Sequence, residues 1–187
     1  MADGQFMTEL INKFPRIVVV AMGMANVDIS QFGGFYAVLM QYVFVLAAVY
    51  AAHLGSNAVS RESVDKTCEF LFTKPRSRSF ILSRKLLAAL VYLTLYACLS
   101  LLFSVLAVRQ LALDVDYLGL YLRFAGAMWA LELVFFSIAA MFAASMRVSE
   151  RGARAGNLAV LFTYALAVVY DLLDKPGLLR FLTPFRF

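Results

Sequence analysis

Residues that build disulfide frameworks and metal sites are scarce in this chain, which has two cysteines and one histidine among 187 residues. Cys68 lies in a charged stretch and Cys98 in an apolar run, so we expect no disulfide between them. The single histidine, His53, leaves no Cys/His/Asp cluster with the spacing of a metal site. These shortages argue against a disulfide-rich secreted domain and against a metalloprotein.

Motifs of nucleotide chemistry and hydrolysis are also missing from the sequence. No G-x-x-x-x-G-K-[ST] stretch occurs, so the chain cannot cradle a nucleotide as a P-loop ATPase does. Neither G-x-S-x-G nor H-E-x-x-H occurs, which leaves a hydrolase or an intramembrane protease poorly supported. The opening MADGQFMTEL holds two acids and no apolar core, unlike a cleavable signal peptide.

Charge is sparse and apolar side chains are abundant, with 16% charged and 63% hydrophobic residues. A soluble domain is about half apolar, so this composition indicates a membrane protein. The net charge of +5 comes from basic residues in loops between apolar runs, where topology and anionic headgroups account for them. We therefore expect the lipid bilayer as a partner and no nucleic acid.

Four apolar segments are long enough to cross a bilayer, which takes about 20 mostly apolar residues. They are residues 34–58, 86–108, 118–146 and 157–173. Residues 17–27 are apolar but only about half the needed length, so we predict an interfacial or re-entrant piece within an external segment, 1–33. The sequence thus predicts one all-α domain, a polytopic transmembrane helix bundle.

The loops between these segments differ in charge, which predicts their orientation. The loop 59–85 carries seven basic residues, Arg61, Lys66, Lys74, Arg76, Arg78, Arg84 and Lys85. The third loop carries Arg147, Arg151 and Arg154, whereas the middle loop carries only Arg109 and two aspartates. Loops one and three are therefore predicted to be cytoplasmic. The middle loop, both termini and the tail 174–187 are then predicted to be outside.

The densest charge cluster, SRESVDKTCEFLFTKPRSRSFILSRK (residues 60–85), predicts a helix-turn-helix on the cytoplasmic face. Apolar residues share one face of a short helix from Glu62 to Thr73, and Pro75 ends it. Ser77 or Ser79 can cap the next helix, which continues into the second span. A plain positively charged topogenic loop with an interfacial helix is the alternative.

This stretch resembles the first cytoplasmic loop of type-two ABC transporter permeases. The residues in register with the family pattern are Glu62, Thr67, Glu69, Leu71, Pro75, Arg78 and Lys85, and Lys66 stands where a glycine is usual. Residues 137–166 resemble the family's later helix pair, residues 178–187 its last external segment and residues 28–35 its external run into the second helix. Such permeases usually have six spans, so this chain is expected to be truncated, split or partial and to lack the first and last helices.

The resemblance implies a membrane-spanning subunit of an ABC exporter in the cell membrane of a prokaryote. Its partners would be a separate ATP-binding subunit and a second permease chain. The chain itself would be no enzyme and would bind no cofactor, since ATP and Mg²⁺ belong to the partner. The coupling residues implied are Glu62, Lys66, Thr67, Glu69, Lys74, Pro75, Arg78 and Lys85. Glu69 and Arg78 are the best candidates for partner contacts, although a local ion pair is equally open.

Glu132 is the strongest single candidate for a functional residue, because a carboxylate near the middle of a span costs about 2.5–3.5 kcal/mol on insertion scales. Arg123 lies nine residues earlier, on the opposite face of a helix with about 3.6 residues per turn, so the two cannot pair. A structural hydrogen bond in protonated form, a place on a transport pathway, and pairing across a dimer all stay open. An intramembrane enzyme using Glu132 as a buried acid is a rival function.

Small residues recur at intervals of four and predict close helix packing, within the bundle or in a dimer. They are Ala47, Ala51 and Gly55 on the first span, Ala139 and Ala143 on the third, and Gly152 and Gly156 at the start of the fourth. A second rival function is a membrane-embedded scaffold or regulatory subunit that keeps the charged loop and transports nothing.

Overall fold

The computed structural model describes residues 13–24, 27–28, 31–64, 77–110, 118–146 and 149–173, and five helices lie within these ranges. They are α1 (Arg16–Ala21), α2 (Phe32–Val64), α3 (Arg78–Gln110), α4 (Leu118–Ser145) and α5 (Ser149–Leu173). No strand occurs within those ranges. The predicted all-α fold class is confirmed.

Four helices in the described ranges are long and apolar enough to span a membrane, as predicted. The candidate spans are Phe32–Arg61, Arg78–Gln110, Leu118–Ser145 and Arg154–Leu173. Helices α2 and α3 have 33 residues each, a length of about 50 Å, whereas the hydrocarbon core is about 30 Å thick. Both are therefore longer than the hydrocarbon core is thick.

The prediction of a separate short helix beginning at Glu62 is wrong at its start. Helix α2 continues through Val64, so Glu62 lies in the last turn of this long helix. The backbone hydrogen bonds of a helix persist where hydropathy falls, because they do not depend on apolar side chains. The remainder of the predicted short helix, 65–73, and the turn with Pro75 lie outside the described residues.

The chain divides into two compact units, and the first comprises residues 1–46 and 161–187. In its described part, α1 is one and a half turns long and ends in a Schellman motif. Gly23 has a φ of 72°, the Gly23 N–H donates to Val20 O (2.9 Å), and the Met24 N–H donates to Val19 O (3.0 Å). Tyr164 and Tyr42 donate to the carbonyls of Ala21 (3.1 Å) and Met22 (3.3 Å). This segment is thus held by specific polar contacts and does not span.

The second unit, residues 47–160, has its core around α4. The large buried side chains of α4 are Met128, Leu131, Phe135 and Phe136. Helix α3 presents Ala89, Leu93 and Ala97 to this core, and α2 presents a row of alanines and serines. The rest of α3 exposes leucine, valine and phenylalanine side chains, which suits a surface solvated by lipid tails.

Candidate functional site

Two of the predicted coupling residues, Arg78 and Lys85, lie on the first turns of α3. Ser77 caps this helix: its Oγ accepts a hydrogen bond from the Phe80 N–H (3.3 Å), and its carbonyl accepts one from the Ile81 N–H (3.2 Å). The predicted cap at Ser77 is confirmed, and α3 runs without a break from the cap into the span. Arg78 is exposed and Lys85 is half-buried.

The other predicted coupling residues stay predictions. Glu62 belongs to the end of α2, and its side chain is not described. Lys66, Thr67, Glu69, Lys74 and Pro75 lie outside the described residues. The structure therefore gives the two helices that flank the charged stretch but no contact among its central residues.

Near the end of α2 that leads to this stretch, the backbones of α2 and α4 touch. Gly55 is buried, and a Cβ atom placed on it would overlap the carbonyl oxygen of Phe136 and lie 3.1 Å from the carbonyl carbon. Only glycine fits this approach without displacing a backbone. Ser56, the next residue, is also buried and donates its hydroxyl to Ala52 O (2.9 Å).

Helix α5 joins the same contact through two further glycines. A Cβ on Gly152 would lie 2.7 Å from Ala143 Cα, and one on Gly156 would lie 2.8 Å from Ala139 Cβ and 3.1 Å from Ser56 Oγ. We name the set Gly55, Ser56, Phe136, Ala139, Ala143, Gly152 and Gly156 the glycine junction. It confirms the prediction that the small-residue stripes pack within the chain.

Glu132 is fully buried on α4, with an exposed fraction of 0%. Neither carboxylate oxygen has a hydrogen-bond partner among the described residues. Arg123 is exposed, which agrees with its predicted place on the opposite face of the helix. A buried carboxyl without a partner is energetically unfavourable, so this position is the strongest candidate for a function beyond packing.

Tyr96 lies near Glu132 and pairs with Tyr50 from a neighbouring helix. The Tyr96 hydroxyl of α3 is within electrostatic range of both the Glu132 carboxyl and Tyr50 of α2. The rings of Tyr50 and Tyr96 are 5.8 Å apart between centroids and inclined by 33°. Tyr50 is 38% exposed, so the aromatic pair extends from the surface of the unit toward the acid. We name Glu132, Tyr96 and Tyr50 the Glu132 site.

A hydrogen bond joins α3 and α4 close to Tyr96 and Glu132. Trp129 Nε1 donates to Thr94 Oγ1 (3.2 Å), three residues before Glu132 along α4. This bond joins the helices that carry Tyr96 and Glu132. Relative rotation of α3 and α4 would break it, so it helps to set which residues face the acid.

Comparison with known proteins identifies the family. The sequence model of a family described as "ABC-2 family transporter protein" matches residues 4–185. This chain belongs to the ABC-2 transporter family. No curated protein and no solved structure matches it significantly.

As an ABC-2 family transporter protein, the chain is an integral membrane protein and a permease of an ABC transporter. Such a permease is a membrane subunit for transport and is not itself catalytic. The resemblance recognised in the charged stretch is thereby confirmed. The matched region contains that stretch, the glycine junction and the Glu132 site.

Sequence reasoning found Glu132 but missed Tyr50 and Tyr96. The three residues lie on three different helices, and their spacing along the chain follows no period that would relate them. The available signal was weak: each tyrosine is a polar hydroxyl near the middle of an apolar run, but aromatic residues are common in this sequence, which has 9 tyrosines and 17 phenylalanines.

Proposed function

We propose that this permease is driven by a separate ATP-binding subunit that docks on residues 60–85, and that it works as an exporter in the cell membrane of a prokaryote. A second permease chain completes the membrane pathway. ATP and Mg²⁺ are bound by the ATP-binding subunit. Loops one and three face the cytoplasm, where that subunit resides.

The length of α2 and α3, which exceeds the thickness of the hydrocarbon core, carries this proposal. Each helix is about 50 Å long, and the excess length includes the residues that adjoin the charged stretch, Arg61 on α2 and Arg78 to Lys85 on α3. Ser77 holds the first turn of α3 in place. A force applied to the stretch would therefore act on two rigid rods that enter the membrane.

The glycine junction supplies a route from this stretch to the other helices. Gly55 lies nine residues before the end of α2, in backbone contact with α4. Gly152 and Gly156 bring the first turns of α5 against the same part of α4. Because contacts this close leave no free volume, α2, α4 and α5 must move together at this level.

Charge at the start of α3 suits a soluble partner. Arg78 is exposed, and the Arg84 guanidinium lies over the Phe80 ring at 5.1 Å from its centroid. Arginine on an aromatic face, beside further basic side chains, offers directional contacts to acidic and polar groups. A loop needed only for topology would require positive charge but no such arrangement.

Co-purification tests the proposal. The tagged chain is solubilised gently from native membranes as wild type and as the Glu69→Ala/Arg78→Ala double variant, and the associated proteins are identified. The matched control, Arg109→Ala/Asp114→Ala, removes one base and one acid from the middle loop. We expect an ATP-binding-cassette subunit with the wild type and the control, and its loss from the Glu69/Arg78 variant.

Two results would overturn the proposal. The first is that no ATPase accompanies the wild type. The second is an ATPase that binds all three forms equally. An ATPase that binds as expected but whose activity is independent of the permease would instead identify a scaffold subunit.

A further inference from the structure

Glu132 differs from the buried serines in the described part of the second unit. Ser56, Ser60 and Ser104 each donate to the carbonyl four residues earlier, at 2.9, 2.7 and 2.8 Å. These hydroxyls are satisfied within their own helices. Glu132, at 0% exposure, has no such bond on either carboxylate oxygen. No described residue therefore satisfies this carboxyl by a hydrogen bond.

Lysine and arginine side chains are distant from Glu132 along α2 and α3. On α2, Arg61 lies eleven residues beyond Tyr50, and on α3, Lys85 lies eleven residues before Tyr96, which is about 16 Å along either axis. Arg109 is thirteen residues past Tyr96, about 20 Å. On α4 itself, Arg123 occupies the opposite face. The described residues of α2, α3 and α4 thus place no lysine or arginine at this level on the side of the acid.

The surroundings of the acid are aromatic on the side that leads outward. Tyr96 and Tyr50 form a tilted ring pair, and the Tyr50 side chain is partly exposed. Ring faces carry negative potential and attract cations, and aromatic residues are used widely to bind organic ammonium groups. A carboxylate behind two such rings is therefore complementary to a cationic group that bears apolar substituents.

The surface of α2 and α3 near the two tyrosines carries exposed apolar side chains. Val49 on α2, and Leu95 and Leu99 on α3, are exposed and are close in sequence to the two tyrosines. A ligand that reached the tyrosines from the lipid would keep its apolar body against these side chains. Its charged group would point inward, toward Glu132.

We propose that the Glu132 site binds a lipophilic organic cation, with the Glu132 carboxylate as counter-charge and the Tyr96 and Tyr50 rings as the wall of the site. Because Glu132 is fully buried in the present conformation, the side chains around it must move to admit the ligand. The role of this cation as a transported substrate rests on the proposed function, whereas its binding does not.

The test measures equilibrium binding of radiolabelled tetraphenylphosphonium, a permanent cation, to the full chain in nanodiscs, together with its ATP-binding subunit where that co-purifies. Triphenylphosphine oxide serves as a neutral probe of similar shape. We expect wild type to bind the cation at least about tenfold more tightly than the neutral probe. Glu132→Gln, which keeps the size of the side chain, abolishes this preference.

Ring and charge controls refine the test. Tyr50→Ala weakens cation binding by about threefold or more, whereas Tyr50→Phe, which keeps the ring, binds like the wild type. Asp171→Asn removes an equal charge from α5 and leaves the preference unchanged. Because Tyr50 is partly exposed, its variants test the site even if Glu132→Gln fails to fold.

Equal binding of the two probes to the wild type would overturn the proposal and would leave a proton as the group that neutralises Glu132. An equal loss of the preference for the cation in Glu132→Gln and Asp171→Asn would also overturn the proposal, since it would indicate a general effect of charge in the protein. Cation binding without any associated ATPase would sustain this site and refute the proposed coupling. If an ATPase is associated but the permease shows no preference for the cation, the proposed coupling would be sustained and the cation site refuted.

Discussion

The glycine junction and the Glu132 site share helices α2 and α4, only one turn apart on α4, yet their construction is opposite. At the junction the side chains are small, the backbones touch, and the Ser56 hydroxyl is satisfied within its own helix. At Glu132 the neighbouring side chains are large rings, and the acid has no partner among the described residues.

This difference separates a rigid part of the permease from an adaptable one. Backbone contacts cannot be relieved by side-chain rotation, so the junction holds three helices in one arrangement. Tyrosine rings can rotate about their side-chain bonds, so the space beside Glu132 can open while the junction stays closed.

The largest expected effect comes from breaking the junction with Gly55→Leu. The new side chain would meet the Phe136 backbone, which cannot rotate away, so α2 and α4 must separate. We expect the free energy of unfolding, measured by SDS titration in mixed micelles, to fall by about 3 kcal/mol or more.

Gly126→Leu on α4 is the matched control for this change. A Cβ on Gly126 meets nothing within 4 Å among the described residues, so the variant should unfold like the wild type. A Gly55→Leu variant as stable as Gly126→Leu would show that the helices do not touch at the junction.

A smaller effect, of opposite sign, is expected from Glu132→Leu. Replacing an unpartnered buried carboxyl by an apolar side chain of similar size should raise the free energy of unfolding by about 2 kcal/mol in the same titration. Transport, or cation binding as described above, should be lost at the same time. This outcome would mark a site kept at a cost in stability. A destabilised variant would contradict it and would reveal a structural partner for the carboxyl.

The smallest of the three effects is expected from Gly156→Ala. Its methyl would lie 2.8 Å from Ala139 Cβ, so α5 must shift by a few tenths of an ångström. We expect the free energy of unfolding, again measured by SDS titration, to fall by about 1 kcal/mol. Adding Ala139→Gly should restore part of this loss, because it removes the atom that the methyl meets.

The double-mutant cycle for Gly156 and Ala139 measures how directly they interact. Independent effects of the two substitutions, summing without interaction, would show that α4 and α5 are further apart than 2.8 Å implies. A similar cycle between Glu132 and Tyr96 would show weak coupling in the free protein and stronger coupling in the presence of tetraphenylphosphonium.

The extent of each span followed from the sequence to different degrees. The third prediction, 118–146, matches Leu118–Ser145 almost to the residue, because polar and charged residues border the apolar run on both sides. The second, 86–108, lies within α3, whose start at Arg78 agrees with the predicted cap at Ser77. Hydropathy marks where a helix crosses the lipid, whereas backbone hydrogen bonds and the Ser77 cap decide where it starts.

The candidate site divides in the same way. Glu132 could be found from the sequence because an acid in an apolar run is unfavourable in any fold. Its separation from Arg123 followed from the helical period alone, and the structure agrees. Tyr50 and Tyr96 could not be found, because residues on separate helices meet according to packing and not according to any local pattern.

What the sequence determined by itself was the class of protein: the number of spans, the unusual acid, the stripes of small residues and the likeness to ABC permeases. The first three depend on composition or on periodicity along one helix, whereas the likeness rests on the residues of the charged stretch that match the family pattern. Tertiary structure decided which stripes meet, that the Gly55 backbone touches Phe136, and that Tyr96, paired with Tyr50, lies near Glu132. The reason is that contacts between helices depend on their rotation and depth, and many side chains distributed over several helices fix these together.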